Sequence, residues 1–134
     1  MTKRRIFFNL PVRDLNKSKE FFTRLGFEFN PQFTDENATC VVINDDACVM
    51  LLVEPFFQTF THKPLCDARK QTESICAISV DSRAEVDAIT QRALAAGATT
   101  ALEPKNMGFM YNTSFYDLDG HHWEVLWMDP AAMQ

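Results

Sequence analysis

Glu124 has the clearest potential for chemistry, because its carboxylate interrupts an apolar segment near the end of this 134-residue chain. Residues 122–128 read HWEVLWM, and a strand alternates its side chains between two faces. One face is then purely apolar: Trp123, Val125 and Trp127. The other face carries Glu124 among His122, Leu126 and Met128.

Burying a charged carboxylate costs free energy unless it has a polar partner, so a carboxylate on a strand that is apolar on both sides needs such a partner. We therefore expect Glu124 to look into a cavity, as a catalytic base or as an anchor for a donor group of a ligand. The structural alternative is a carboxylate at the rim, hydrogen-bonded to a neighbouring backbone group or to Tyr116.

Other side chains are candidates for the same cavity. Asn9 lies in the middle of an apolar first strand, and a buried strand amide must bond either to protein or to a ligand. Tyr116 shares a strand face with Ser114, and both have hydroxyl groups. A soft lining is predicted from Met50, Leu52 and Leu126, although core packing is the commoner role of such residues.

A metal site is a further alternative. His122 and Glu124 lie two residues apart on one strand face, and Glu54 could join them as a third donor. A histidine beside a turn glycine is more often solvated, so no metal is predicted with assurance. The ions that such a rearranged site would suit are Ni, Zn, Mn and Fe.

Composition limits the partners. The net charge is −5, and Lys3, Arg4 and Arg5 form the only basic cluster, which argues against nucleic acid and membranes. The apolar run 6–12 is too short for a signal or a membrane span, so we expect a cytoplasmic protein. The four cysteines lack C-x-x-C spacing and are predicted to be buried, reduced thiols, with a zinc site or a disulfide framework as the alternative.

The elements occur in the order β-α-β-β-β twice, at about 6–54 and 75–128, with a connector at 55–73 that is rich in phenylalanine. Asp14 and Gly26 delimit the first helix, whose inner stripe is Leu15, Ser18, Phe21, Phe22 and Leu25. A capping box from Ser82 to Glu85 opens the second, with Val86, Ile89, Ala93 and Leu94 inside. Residues 27–33 are expected to be extended, and the loop 104–111 is either a lid or a hairpin connection. We predict one α+β domain.

Three motifs make the chain resemble the vicinal oxygen chelate superfamily, which includes glyoxalase I, bleomycin-resistance proteins, fosfomycin-resistance enzymes and extradiol dioxygenases. They are Leu10-Pro-Val-Arg-Asp-Leu15, Arg24-Leu-Gly-Phe27 and Asp117-Leu-Asp-Gly-His-His-Trp-Glu-Val125. The sequence is most similar to bacterial proteins labelled predicted lactoylglutathione lyase. The resemblance implies two curled mixed sheets around a cleft, helices on the outer face, and a homodimer.

In metal-dependent members, four side chains from the first and last strands of the two modules hold a divalent ion. Glu124 matches one of these positions, whereas Phe7 and Ile75 occupy two others and offer no donor atom. The fourth position falls among Met50, Leu52 and Glu54. We therefore predict a largely metal-free cleft, lined partly by Phe7 and Ile75, that binds a small apolar or aromatic molecule. The alternative is a metal-dependent lyase or isomerase resembling glyoxalase I.

Overall fold

The computed structural model describes residues 4–133. Its internal contacts divide the chain into two compact units, with the boundary along the chain between Cys66 and Asp67. No helix in the described part of the chain is long and apolar enough to cross a membrane.

The first unit contains a four-stranded sheet in the order β1-β4-β3-β2, in which β1 runs parallel to β4 and the other pairs are antiparallel. Its elements are β1 (Ile6–Val12), α1 (Leu15–Leu25), β2 (Glu28–Phe29), β3 (Ala38–Asn44), β4 (Ala47–Val53) and the short helix α2 (Glu54–Phe57). Two turns of 3-10 helix complete it, at Pro31–Phe33 and Gln58–Phe60.

Helix α1 begins and ends as predicted. The Asp14 carboxylate accepts a hydrogen bond from the backbone N–H of Lys17 at 3.0 Å, and Gly26 adopts φ 100°. This φ belongs to the left-handed region, which suits a glycine at the end of a helix. All five residues of the predicted inner stripe are buried.

The second unit has a five-stranded sheet in which the path β5-β9-β8-β6 is extended by β7 on β8. Strands β5 and β9 are parallel, and the other pairs are antiparallel. Its elements are β5 (Ile75–Ser79), α3 (Arg83–Ala95), β6 (Thr99–Thr100), β7 (Lys105–Asn106), β8 (Met110–Tyr116) and β9 (His122–Met128), followed by a 3-10 turn at Pro130–Met133.

Helix α3 packs against β8 and β9 through Val86, Ile89 and Ala93, which are buried. The Ser82 hydroxyl accepts a hydrogen bond from the Glu85 N–H at 3.1 Å, as the capping box requires. The prediction that Leu94 belongs to the inner stripe is wrong, because Leu94 is exposed at the edge of that stripe.

Two other segments differ from the prediction. Only Glu28–Phe29 of the stretch 27–33 is extended, because the Asn30 side chain caps a turn by accepting from the Gln32 N–H at 2.9 Å. The connector 55–73, which had shown no periodic pattern, begins with short helical turns, and Phe60 there stays exposed.

The loop 104–111 is a hairpin connection. Strand β7 within it pairs with β8, and an Arg83 guanidinium N–H donates to the Gly108 carbonyl at 2.8 Å. Together the two units confirm the predicted α+β class, with an open mixed sheet in each repeat of the β-α-β-β-β order.

Candidate functional site

The second sheet has a helix-covered face and an open face. Trp123 and Val125 of β9 are fully buried on the side of α3. The strand register places the other side chains of β5, β8 and β9 on the open face. These are Ile75, Ala77, Ser79, Met110, Asn112, Ser114, Tyr116, His122, Glu124, Leu126 and Met128.

Glu124 lies at the centre of this open face. Its partners in register are Ala77 on β5 and Ser114 on β8, two small residues that leave the carboxylate half-buried. Within residues 4–133, the Glu124 side chain makes neither a hydrogen bond nor an ion pair. The structural alternative for Glu124, a bond to backbone or to Tyr116, is therefore not what the structure contains.

His122 is buried, with 8% of its surface exposed, so the expectation of a solvated histidine is wrong. The ring of Tyr116, its partner in register, packs edge-on against the imidazole with 5.4 Å between ring centroids. Ile75 is its partner on the other side. The His122 Nε2 atom has no hydrogen-bond partner in the described part of the protein, and such a buried polar atom is uncommon.

Three polar side chains of β8 share the open face. Ser114 accepts a hydrogen bond from the Leu102 N–H at 2.9 Å and so fixes the segment after β6. The side chains of Asn112 and Tyr116 are half-buried and form no hydrogen bond within the described residues. Several hydrogen-bonding groups on one sheet face thus have no partner among residues 4–133.

Apolar side chains surround these groups. Ile75 is 50% exposed, although it lies on a strand that pairs with the buried β9. Leu126 and Met128 are half-buried. A concentration of apolar surface with a few polar groups is typical of surfaces that bind small molecules.

A buried aspartate holds the β8–β9 turn in shape. The Asp117 carboxylate accepts hydrogen bonds from the Trp123 indole N–H at 2.9 Å and from the backbone N–H groups of Asp119 and His121 at 2.9 and 3.0 Å. Burial raises the pKa of Asp117, although the nearby His121 and the hydrogen bonds oppose the shift. From its position in the sequence, Asp117 is predicted only as a turn former; the signal for its buried role is that it begins an Asx turn.

A cleft of about 390 Å³ opens beside Tyr116 in the second unit. The end of the connector forms one wall, and the β8–β9 turn together with residues after α3 forms the other. Residues lining it include Arg69, Lys70, Gln71, Thr99, Tyr116 and Leu118. This cleft could not be predicted, because the connector that forms one of its walls has no periodic pattern.

The first sheet also has an open face, which holds Phe7, Asn9, Met50 and Leu52 in register. Phe7 is 41% exposed; the ring of Phe33 contacts it edge-on, and the Arg5 guanidinium lies 5.4 Å from its centroid. The prediction of a buried Asn9 is wrong: Asn9 is exposed, and its amide donates to the Phe7 carbonyl at 3.1 Å. Met50 is half-buried and Leu52 is buried.

The predicted site residues therefore lie on the open faces of the two sheets: Phe7, Asn9, Met50 and Leu52 on the first, and Ile75, Tyr116, Glu124 and Leu126 on the second. Their roles in binding stay predictions. His121, by contrast, is half-buried and its backbone supports the Asp117 turn.

The residues at the family's metal positions do not fit a divalent ion. Phe7 and Ile75 supply no donor atom, which leaves Glu124 as the one clear match. Across the described ranges, no three His, Cys, Asp or Glu side chains are grouped so that they could hold a metal. Glu54 belongs to the first unit and His122 and Glu124 to the second, so the rearranged set stays a prediction.

Comparisons with known proteins agree with this fold. Residues 4–44 match the family model for the bleomycin resistance protein-like N-terminal region. A hypothetical protein from S. aureus is 30% identical, with 94% of this chain and 95% of that one covered and a TM-score of 0.78. No curated protein sequence matches significantly.

Two more distant structures have the same fold. A glyoxalase-related enzyme from Fulvimarina pelagi is 20% identical over 94% of this chain and 88% of that one, with a TM-score of 0.77. The fosfomycin resistance protein FosX from Listeria monocytogenes is 20% identical over 100% of both chains, with a TM-score of 0.68. Residues 4–44 thus match the bleomycin resistance protein-like family, and the chain as a whole has the fold of glyoxalase and bleomycin-resistance proteins.

Proposed function

We propose that this protein binds a small apolar or aromatic molecule bearing a hydrogen-bond donor, on the open face of its second sheet. The observation that carries the proposal is the half-buried Glu124 carboxylate, which has no partner within residues 4–133. A partly desolvated carboxylate without a partner costs free energy, and a donor group of a ligand would remove that cost.

The remainder of the open face supplies the apolar part of the interaction. Ile75, Leu126 and Met128 offer exposed or half-buried apolar surface, and Tyr116 adds an aromatic ring. Methionine adapts to ligands of different shapes. We include a homodimer in the proposal, because self-association would cover the apolar side chains that a single chain leaves exposed.

The family supports a role in handling small organic compounds. The matching family model and the FosX neighbours are named for resistance to bleomycin and fosfomycin. One FosX structure from Listeria monocytogenes is described as a complex with Mn(II) and sulfate. Phe7 and Ile75 occupy two of the metal positions and offer no donor atom. The side chains at these positions therefore favour sequestration of a ligand over metal chemistry.

The alternative is a lyase resembling glyoxalase I, in which Glu124 would move a proton next to a carbonyl group. It needs a divalent ion bound by a donor set that the described residues do not bring together. Turnover of the methylglyoxal–glutathione hemithioacetal that is lost on chelation would favour this alternative over binding alone.

The proposal predicts that Glu124→Gln weakens binding of a cationic aromatic ligand at least about tenfold, because a charge-assisted hydrogen bond contributes about 1.5–3 kcal/mol. Thermal-shift screening of small aromatic amines would identify a ligand, and calorimetry would give its affinity. Glu36→Gln is the matched control, since it removes the same charge from an exposed residue of the first unit. Equal affinities for the two variants would contradict the role of Glu124.

A further inference from the structure

Three sulfur atoms share the face of the first sheet that also carries Phe7 and Leu52. Cys40 on β3 and Met50 on β4 are direct partners in register, and Cys48 precedes Met50 by two residues on the same strand. All three side chains therefore point to one face of the sheet. Cβ atoms of direct cross-strand partners lie about 5 Å apart, which places the Cys40 and Met50 side chains side by side.

The two thiols are neighbours as well. The pKa of the Cys48 thiol is raised to about 12 by burial and by its interaction with the Cys40 thiol, and the charge of Arg5 opposes this shift. Both thiols are free and buried, with 1% of Cys40 and 5% of Cys48 exposed. Thiolates and thioethers are the ligands that soft metal ions select.

We propose that Cys40, Cys48 and Met50 form a binding site for a soft monovalent ion, Cu(I), held by two thiolates and one thioether. This site does not depend on the function proposed above, and its sulfur donors differ from the nitrogen and oxygen donors of the superfamily's divalent site. Binding releases the protons of both thiols to solvent, while the ion stays Cu(I) throughout.

The surroundings suit such a site. The Arg5 guanidinium lies 5.4 Å from the ring centroid of Phe7, the partner of Cys48 in register, and its charge partly opposes the effect of burial on the pKa of Cys48. Two thiolates with one Cu(I) carry a net negative charge, which the guanidinium offsets.

The test uses the full chain with Cys66→Ser, because the exposed Cys66 would otherwise bind Cu(I) on the surface. Cu(I) is added anaerobically and competed with a Cu(I)-specific chelator. We expect one equivalent to be retained, with log affinity rising with pH because protons are released. Cys40→Ala and Cys48→Ala should abolish binding. Met50→Leu should weaken binding at least about tenfold, because mutating even residues that only contact the ligands of a metal site lowers the metal affinity by that factor.

Cys76→Ala is the matched control, since it removes a half-buried thiol from the second unit and should leave binding unchanged. Retention of the ion by Cys40→Ala or Cys48→Ala, or an unchanged affinity in Met50→Leu, would overturn the proposal. Circular dichroism checks folding. If a variant is unfolded, X-ray absorption of the Cu(I)-loaded Cys66→Ser protein decides, because sulfur-only coordination supports the site and nitrogen or oxygen donors refute it.

Discussion

Asp117→Ala is expected to lower the free energy of unfolding by about 3–5 kcal/mol, since three donors lose their acceptor. The Trp123 indole N–H is buried, and the N–H groups of Asp119 and His121 shape the β8–β9 turn. Chemical denaturation measures the loss. Asp117→Asn should lose less, because its amide oxygen can still accept. A loss below about 1 kcal/mol in Asp117→Ala would show that the turn does not depend on the carboxylate.

The same carboxylate predicts a pH dependence. Because burial raises the pKa of Asp117, the folded protein holds this proton to a higher pH than the unfolded chain does. Stability from this group is therefore present at low pH and is lost as the pH rises from the ordinary carboxyl value through the raised one. Denaturation at several pH values should show this decline in the natural protein and not in Asp117→Asn. If stability changed with pH in the same way in the natural protein and in Asp117→Asn, the raised pKa of Asp117 would be contradicted.

Gly120→Ala is expected to cost about 2–5 kcal/mol, and Gly108→Ala only about 1–2 kcal/mol. Both glycines adopt a positive φ, 90° and 81°, so an alanine is strained at either position. A Cβ at Gly120 would also lie 2.8 Å from the Ala68 carbonyl oxygen and 2.9 Å from the Arg69 Cα. The Cβ at Gly108 would meet nothing within 4 Å.

The two glycine variants differ in how much stability they lose, and this difference measures the effect of the close approach between the connector and the β8–β9 turn. Denaturation midpoints of both variants, measured beside the natural protein, give this difference directly. Since residues 68–72 also line the cleft beside Tyr116, Gly120→Ala should disturb that cleft. Equal losses for the two variants would mean that the backbone of Ala68 and Arg69 moves away at little cost.

The helices and strands could be predicted from the sequence, because capping residues and periodic apolar patterns lie within or next to each element. Asp14 and Gly26 delimit α1, and alternation correctly sorted the two faces of β9. Leu94 shows the limit, since a residue at the edge of an apolar stripe has no local signal for its burial. The short helical turns after β4 show another limit, because tertiary contacts set the structure of a segment without periodicity.

Site residues were harder to predict than elements. Side chains alternate between the two faces of a strand, so the residues that share a face can be predicted. This prediction is confirmed for Ser114 and Tyr116, and for His122 and Glu124. Burial depends on partners in register, so His122 was expected in solvent and Asn9 in the core, and both expectations were wrong. The role of Asp117 rests on a contact with Trp123 across the turn, which spacing alone does not reveal.

The most direct test of the central proposal is an NMR titration of the isotopically labelled protein with an aromatic amine identified by screening. The account predicts shifts concentrated in the amide signals of Ile75, Tyr116, Glu124 and Leu126, with clear attenuation of binding in Glu124→Gln. Shifts confined to other parts of the chain, with Glu124→Gln binding as tightly as the natural protein, would contradict a ligand site on the open face of the second sheet.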